Sequence, residues 1–178
     1  MKKRIIYVSL SVLLFSLLLG LAFFFGAARS GMVPVQADTE PSALEKKFFT
    51  MAVHASVARS AAREPVTDVS VGEDLQSGAE IYKAMCAQCH GQLSGKPSVL
   101  GAGFYPPAPQ LPGHSITYSD AETFWIIKHG IRNTAMPAWR NLLSDDDIKN
   151  VAAFVKQLNS PPQNNDSVPH PAQASAER

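Results

Sequence analysis

Apolar positions fall into one unbroken block followed by several periodic stretches. Residues 5–28 carry no charge and are crowded with Leu and Phe. A spanning helix needs roughly 20 apolar residues, whereas the core of a cleavable export signal is usually about 7–15. The 24 residues here therefore predict a retained transmembrane anchor over 1–28. Lys2, Lys3 and Arg4 precede the block and only Arg29 directly follows it. That asymmetry puts the N-terminus in the cytoplasm. The expected placement is the bacterial inner membrane, single-pass, with the remainder facing the periplasm. The rival reading is a cleaved signal segment: Val35-Gln36-Ala37 before Asp38 offers small residues, although well past the apolar block. Either way the rest of the chain is exported.

Beyond the anchor the pattern becomes helical. Residues 29–66 form a linker. Within it Leu44, Phe48, Met51 and Ala55 recur at spacings of three and four, which predicts an amphipathic helix over 41–63. Such a helix packs on its own domain or lies on the membrane surface. Leu75, Gly78, Ile81, Tyr82 and Met85 mark one face of a second helix, stopped by Gly91. Ser119 and Glu122 form a capping-box pattern that opens a third, closed by Gly130. Ser144 caps a fourth, with Asp145, Asp146 and Asp147 favoured by the helix dipole. Its stripe is Ile148, Val151, Ala152, Val155 and Leu158. This last helix should cross the second near Gly78 and Tyr82, where a glycine beside an aromatic ring permits close backbone approach.

These four helices predict an all-α globular domain over 67–160, with a proline-rich loop at 101–109. Residues 161–178 are polar, rich in Pro and Ala, and read as a disordered tail. The net charge of +1 leaves no nucleic-acid footprint. Residues 66–160 hold seven Lys or Arg against nine Asp or Glu, so no basic docking face is evident. A domain of this size buries only a modest share of its surface, and long apolar runs are scarce. Something besides side chains must help to fill its core.

The chain has two cysteines, in Cys86-Ala87-Gln88-Cys89-His90. Two thiols separated by two residues, with histidine directly after, form the c-type haem attachment pattern. On one helical turn, cysteines three apart project toward one face. There they can form thioethers to the two vinyl groups of one porphyrin, and His90 aims at the iron from that side. A redox disulfide or half of a zinc site are the competing readings. No second cysteine pair completes a zinc site, and no strand–helix–strand pattern supports a thioredoxin-like fold. The expected cofactor is therefore haem c, one per chain, covalently attached through Cys86 and Cys89.

The iron's second axial position has three candidates. Met136, in Thr134-Ala135-Met136-Pro137, is the only methionine after the motif. A thioether raises the reduction potential, and Pro137 stiffens the loop that presents it. His114 and His129 compete, and a lone methionine is also a common core filler. The carbonyl of Pro109 is a candidate acceptor for the second ring N–H of His90. Trp139 and Tyr105 are candidates for the haem rim or propionates, with core packing an equal alternative.

In this order — attachment motif after a helix, proline-rich loop, Met136-Pro137-Ala138, terminal helix — the residues resemble a class I cytochrome c domain of the bacterial mono-haem type. The stretch 124–139 is especially similar to membrane-anchored bacterial cytochromes and to c-type subunits of oxidases and dehydrogenases. The resemblance covers about 70–160. It implies an all-helical fold wrapped round the haem, axial ligation by His90 and Met136, and one-electron carriage. Ala135 departs from the pattern, since glycine often precedes the methionine. The implied partners are redox proteins: a quinol-oxidising complex or dehydrogenase as donor, and a terminal oxidase as acceptor. With both axial positions filled, no catalysis at the metal is expected. The chain then serves as an electron carrier or as a haem subunit of a larger oxidoreductase. A peroxidase or gas-binding protein, in which Met136 leaves the iron, is the enzymatic alternative.

Overall fold

The computed structural model describes residues 2–64, 74–114 and 116–158. The tail expected to be disordered, 161–178, lies outside the described residues. The chain divides into two compact units, 1–40 and 41–178. Among the described residues all regular structure is helical.

The first unit is built on α1, Lys2–Arg29, a helix of 28 residues with no buried member. At 1.5 Å per residue it is about 42 Å long, enough to cross a hydrocarbon layer of about 30 Å. Its apolar window has a mean hydropathy of 2.5.

The second unit begins with α2, Ala43–Ala61, N-capped by Ser42, whose hydroxyl accepts from the Glu45 N–H at 3.2 Å. Helix α3, Leu75–Ile81, is capped by Asp74, which accepts from the N–H groups of Gln76 and Ser77. It continues through a π-helical turn, Tyr82–Cys86, into α4, Ala87–His90. A short α5, Val99–Ala102, opens the proline-rich loop. Helix α6, Asp120–His129, carries the capping box of Ser119 and Glu122 and ends at Gly130, φ 66°. A 3-10 turn at Trp139–Asn141 leads to α7, Asp145–Leu158.

The core forms where α7 crosses α3 and packs on α6. Tyr82, Ile148 and Val151 are wholly buried, joined by Phe124, Ile127, Ala152 and Val155. Gly78 makes the crossing possible. A Cβ there would run into the Asn150 backbone carbonyl and come within 2.9 Å of the Phe154 Cβ. Lys128 bridges α6 to Asp145 at 2.9 Å, and Lys156 reaches back to Asp120 at 3.1 Å.

Helix α2 packs on α6, but not through the face that the apolar spacing picks out. Val57 and Ala61 are buried, whereas Leu44, Phe48 and Met51 are exposed. Just past its end, Glu64 pairs with Lys128 at 2.8 Å and with His129 at 2.9 Å. The ring of His54 stacks on Tyr118 with centroids 4.9 Å apart. The attachment is therefore an apolar seam closed by an ionic clasp.

Candidate haem site

An apolar cleft opens between the α3–α4 segment and the chain from α6 to the 3-10 turn. Cys86, Cys89 and His90 line it, and so do Met136, Trp139 and His114. The π-helical turn explains how the cysteines come to face it. The Ala87 N–H donates to the Tyr82 carbonyl, five residues back. A turn with an extra residue rotates everything after it relative to what precedes it, and such turns recur at functional sites. Gly78 and Tyr82 can thus face α7 while Cys86, Cys89 and His90 face the cleft. The Tyr82 hydroxyl donates to the Gly91 carbonyl at 2.8 Å and the His90 carbonyl at 3.2 Å. Burial, then Cys86, pushes this hydroxyl up to about 12, so it stays a donor.

His90 is held through its far nitrogen. Nδ1 lies 2.8 Å from the Pro109 carbonyl, as the sequence suggested. A carbonyl only accepts, so Nδ1 must carry the proton and Nε2 keeps its lone pair free for a metal. Burial draws this imidazole below its ordinary value, opposed by the Pro109 bond. The net effect favours the neutral ring that coordination requires. Burial, and then the neighbouring Cys89, pushes the Cys86 thiol up to about 12. That environment opposes a free Cys86 thiolate and suits an uncharged thioether. Among the described residues no group of three or more His, Cys, Asp or Glu could hold a metal ion.

The wall behind the motif is braced by residues that sequence reasoning missed. Gln110 Nε2 donates to the carbonyls of Cys89 at 3.2 Å and Ala108 at 3.0 Å, while its Oε1 accepts from the Ser98 N–H at 2.6 Å. The Leu111 N–H donates to the His90 carbonyl at 2.8 Å. Gly101 backs so closely onto the Cys89 carbonyl that no Cβ fits. Only the glycines and prolines of this loop were visible as signals; an ordinary glutamine carries none.

Met136 is presented by a tight turn. Its N–H donates to the Thr134 hydroxyl at 3.1 Å, and that hydroxyl donates to the Ile131 carbonyl at 2.7 Å. The Ile131 N–H returns to the Met136 carbonyl at 3.2 Å. Asn133, φ 61°, supplies the left-handed position, so Ala135 need not be glycine. His129 is engaged elsewhere, stacked on Trp125 and paired with Glu64. His114 borders the cleft but is exposed, with its backbone N–H donating to the Leu111 carbonyl. Met85 also lines the cleft, next to Cys86. Tyr105 does not, leaving Trp139 as the aromatic of that pair at the site.

Trp139 tests whether haem suits this cleft. Its buried indole N–H has no partner among the described residues. An orphaned buried donor is costly. A haem brings carboxylates on an otherwise apolar ring, which matches one unpaired donor in an apolar slot. The donor set fits as well: two cysteine sulfurs three residues apart, an imidazole with a free nitrogen, and a thioether.

Comparison with known proteins agrees. Residues 73–155 match the family model described as "Cytochrome C oxidase, cbb3-type, subunit III". The chain is 34% identical to cytochrome c6 of Bryopsis maxima over 93 residues, covering 49% of this chain and 97% of that protein. It is 31% identical to cytochrome c6 of Thermosynechococcus vestitus over 90 residues, covering 51% and 75%. For cytochrome c6 of Synechococcus elongatus the identity is 33%, with 46% and 87% covered. A solved chain of the Kuenenia stuttgartiensis reducing HAO-like protein complex aligns at a TM-score of 0.41 and 21% identity, over 49% of this chain and 45% of that one. That last likeness spans less than half of the solved chain and carries no argument. The protein belongs to the class I c-type cytochromes. It is an all-α electron-transfer protein with covalently attached haem c.

Proposed function

We propose that this chain is a membrane-tethered mono-haem cytochrome whose iron is held axially by His90 and Met136, with thioethers to Cys86 and Cys89. When bound, haem c supplies reversible one-electron exchange at iron. The residues then keep the iron closed to substrates and the haem fixed in place. Pro109 orients His90, the Thr134 turn holds Met136, and the unpaired Trp139 N–H would serve a propionate. The observation that carries this reading is the 2.8 Å bond from Nδ1 of His90 to Pro109, which leaves Nε2 free in the cleft that Met136 also lines.

Helix α1 anchors the chain in the bacterial inner membrane with the haem unit in the periplasm, supported by its length and by the cationic Lys2-Lys3-Arg4 end. Tethering confines encounters to the membrane plane and raises the effective concentration of partners. A quinol-oxidising complex or dehydrogenase delivers electrons and a terminal oxidase takes them. The oxidase-subunit description of the matched family model favours an oxidase as acceptor or as host complex.

Spectroscopy tests the ligation. The oxidised protein should show the weak charge-transfer band of thioether-bound ferric haem, and the reduced protein should bind carbon monoxide poorly. Met136→Ala should abolish the band and bind carbon monoxide readily. Unchanged spectra in that variant would remove Met136 from the iron.

A further inference from the structure

Helix α2 is apolar on two opposite faces. Val57 and Ala61 face the haem unit. Leu44, Phe48, Met51 and Ala55 follow one another at spacings of four, three and four, so they share one stripe on the opposite side. Leu44 is 79% exposed, Phe48 55% and Met51 60%. The Phe49 ring meets Phe48 edge-on, 5.5 Å between centroids, and widens the patch. A helix apolar all round normally has a partner on each side; here one side is bare.

The surroundings of the stripe point to what covers it. Residues 43–63 carry Lys46, Lys47, Arg59 and Arg63 against Glu45 alone. Among the described residues none of these four cations forms an ion pair with a carboxylate. Aromatic and aliphatic residues flanked by unneutralised Lys and Arg are the signature of a helix lying in an anionic lipid interface. A second copy of this face is disfavoured, because it would set like charge against like. The connector between Arg29 and Ala43 is thirteen residues, a reach of up to about 43 Å when extended. A lipid surface is therefore always within range of α2 if α1 spans the bilayer.

We propose that the Leu44–Phe48–Met51 stripe of α2 seats on the anionic lipid surface, as a second membrane contact separate from α1. The proposal rests on α1 being the anchor. It turns a loose leash into a fixed mount: α2 grips lipid on one side and the haem unit, through Val57, Ala61 and the Glu64 clasp, on the other.

The test uses the full-length haem-loaded protein in vesicles of phosphatidylcholine and phosphatidylglycerol in about equal amounts. Spin labels are placed one at a time at Phe48→Cys, Met51→Cys, Thr50→Cys and Ser94→Cys. Relaxation by oxygen, which concentrates in lipid, is compared with relaxation by a water-soluble nickel chelate. Labels at 48 and 51 should show an oxygen-to-nickel ratio several-fold above those at 50 and 94. Equal, water-like ratios at all four positions overturn the proposal. Exclusion of both reagents at 48 and 51 overturns it too, because it assigns the face to a protein partner. An alkaline wash of native membranes separates the two readings. Release of the haem-bearing chain defeats the anchor reading, whereas retention with water-like labels defeats only this inference. A high oxygen-to-nickel ratio at 48 and 51 supports the proposal when the chain is retained in the wash; with release it makes α2 the sole lipid contact and overturns the two-contact reading.

Discussion

Helices α2 and α7 draw on similar residues, Ala, Val and Phe with scattered Lys, yet use them differently. In α7 one stripe, Ile148-Val151-Ala152-Val155, is buried and Asp145 and Asp146 take the exposed side. In α2 the apolar residues are shared between two faces, and only Val57 and Ala61 are covered. A helix with all its apolar surface on one side is committed to the core beneath it. A helix that divides it, as α2 does, works as a coupling element. Spacing alone reveals that a face exists, not whether the domain covers it.

The contrast breaks most sharply at Gly78, which lies under α7. Gly78→Ala adds one methyl against the Asn150 backbone carbonyl. Ala is the better helix former by about 1 kcal/mol, but overpacking against rigid backbone costs about 1–3 kcal/mol. The overpacking should win, and Gly78→Leu should lose about 3 kcal/mol. Thermal melts followed by haem circular dichroism should fall by on the order of 10–20 °C for the leucine variant. A higher midpoint for Gly78→Ala would mean that α3 and α7 do not cross at this residue.

A lesion at the α2 seam should act locally instead. Val57, 2% exposed, belongs to the α2 seam and not to the Tyr82–Ile148 cluster. Val57→Asp would bury an unpaired carboxylate, which costs more than lifting α2 off α6. The loss is therefore capped at the worth of the seam, about 2 kcal/mol for one valine with its neighbours. Trypsin should then cut at Arg59 or Arg63 several-fold faster, while the haem melt moves less than in Gly78→Leu. A melt lowered as far as that of Gly78→Leu would make α2 part of the main core.

Legibility followed the same division. The α3–α7 crossing could be read because Gly78 and Tyr82 sit four apart opposite a single unambiguous stripe. Both caps were legible, because Ser119–Glu122 and Ser144–Asp147 are local hydrogen-bonding patterns. Cys86, Cys89 and His90 were visible from spacing, and Pro109 from the lack of an N–H. Three features were not. The π-helical turn at Tyr82–Cys86 is an insertion in phase with no residue signature. The Gln110 brace joins residues 12 and 21 apart. The pairing of Glu64 with His129 spans 65 residues. Each is a long-range or geometric choice that the local pattern leaves open. On α2 the periodicity found the wrong face for packing, because Val57 and Ala61 give a shorter stripe than Leu44, Phe48 and Met51.

The smallest expected effect lies in the ionic clasp. Glu64 is held below its ordinary 4.5, first by the hydrogen bond from Lys128, with desolvation opposing and His129 adding to the lowering. A carboxylate depressed on folding contributes stability that is complete above its unfolded value and is lost as pH falls through the folded one. Lys128 is raised above 10.5, chiefly by Glu64 and then Asp145, so its share is lost only at strongly alkaline pH. The Glu64–Lys128 pair is therefore whole from about pH 5 to 10 and weakens as pH falls below about 4.5. The Glu64 side chain is 41% exposed, so screening limits it to about 0.5 kcal/mol. Amide exchange at the end of α2, corrected for intrinsic rates, should be about twofold faster at pH 3 than at pH 6. Asp147 is also depressed, by its bonds with Ser144, so acid loosens the start of α7 as well. Glu64→Gln separates the two: it should remove the acid effect on α2 and leave that on α7. If α2 still responds to acid in that variant, its attachment does not run through Glu64.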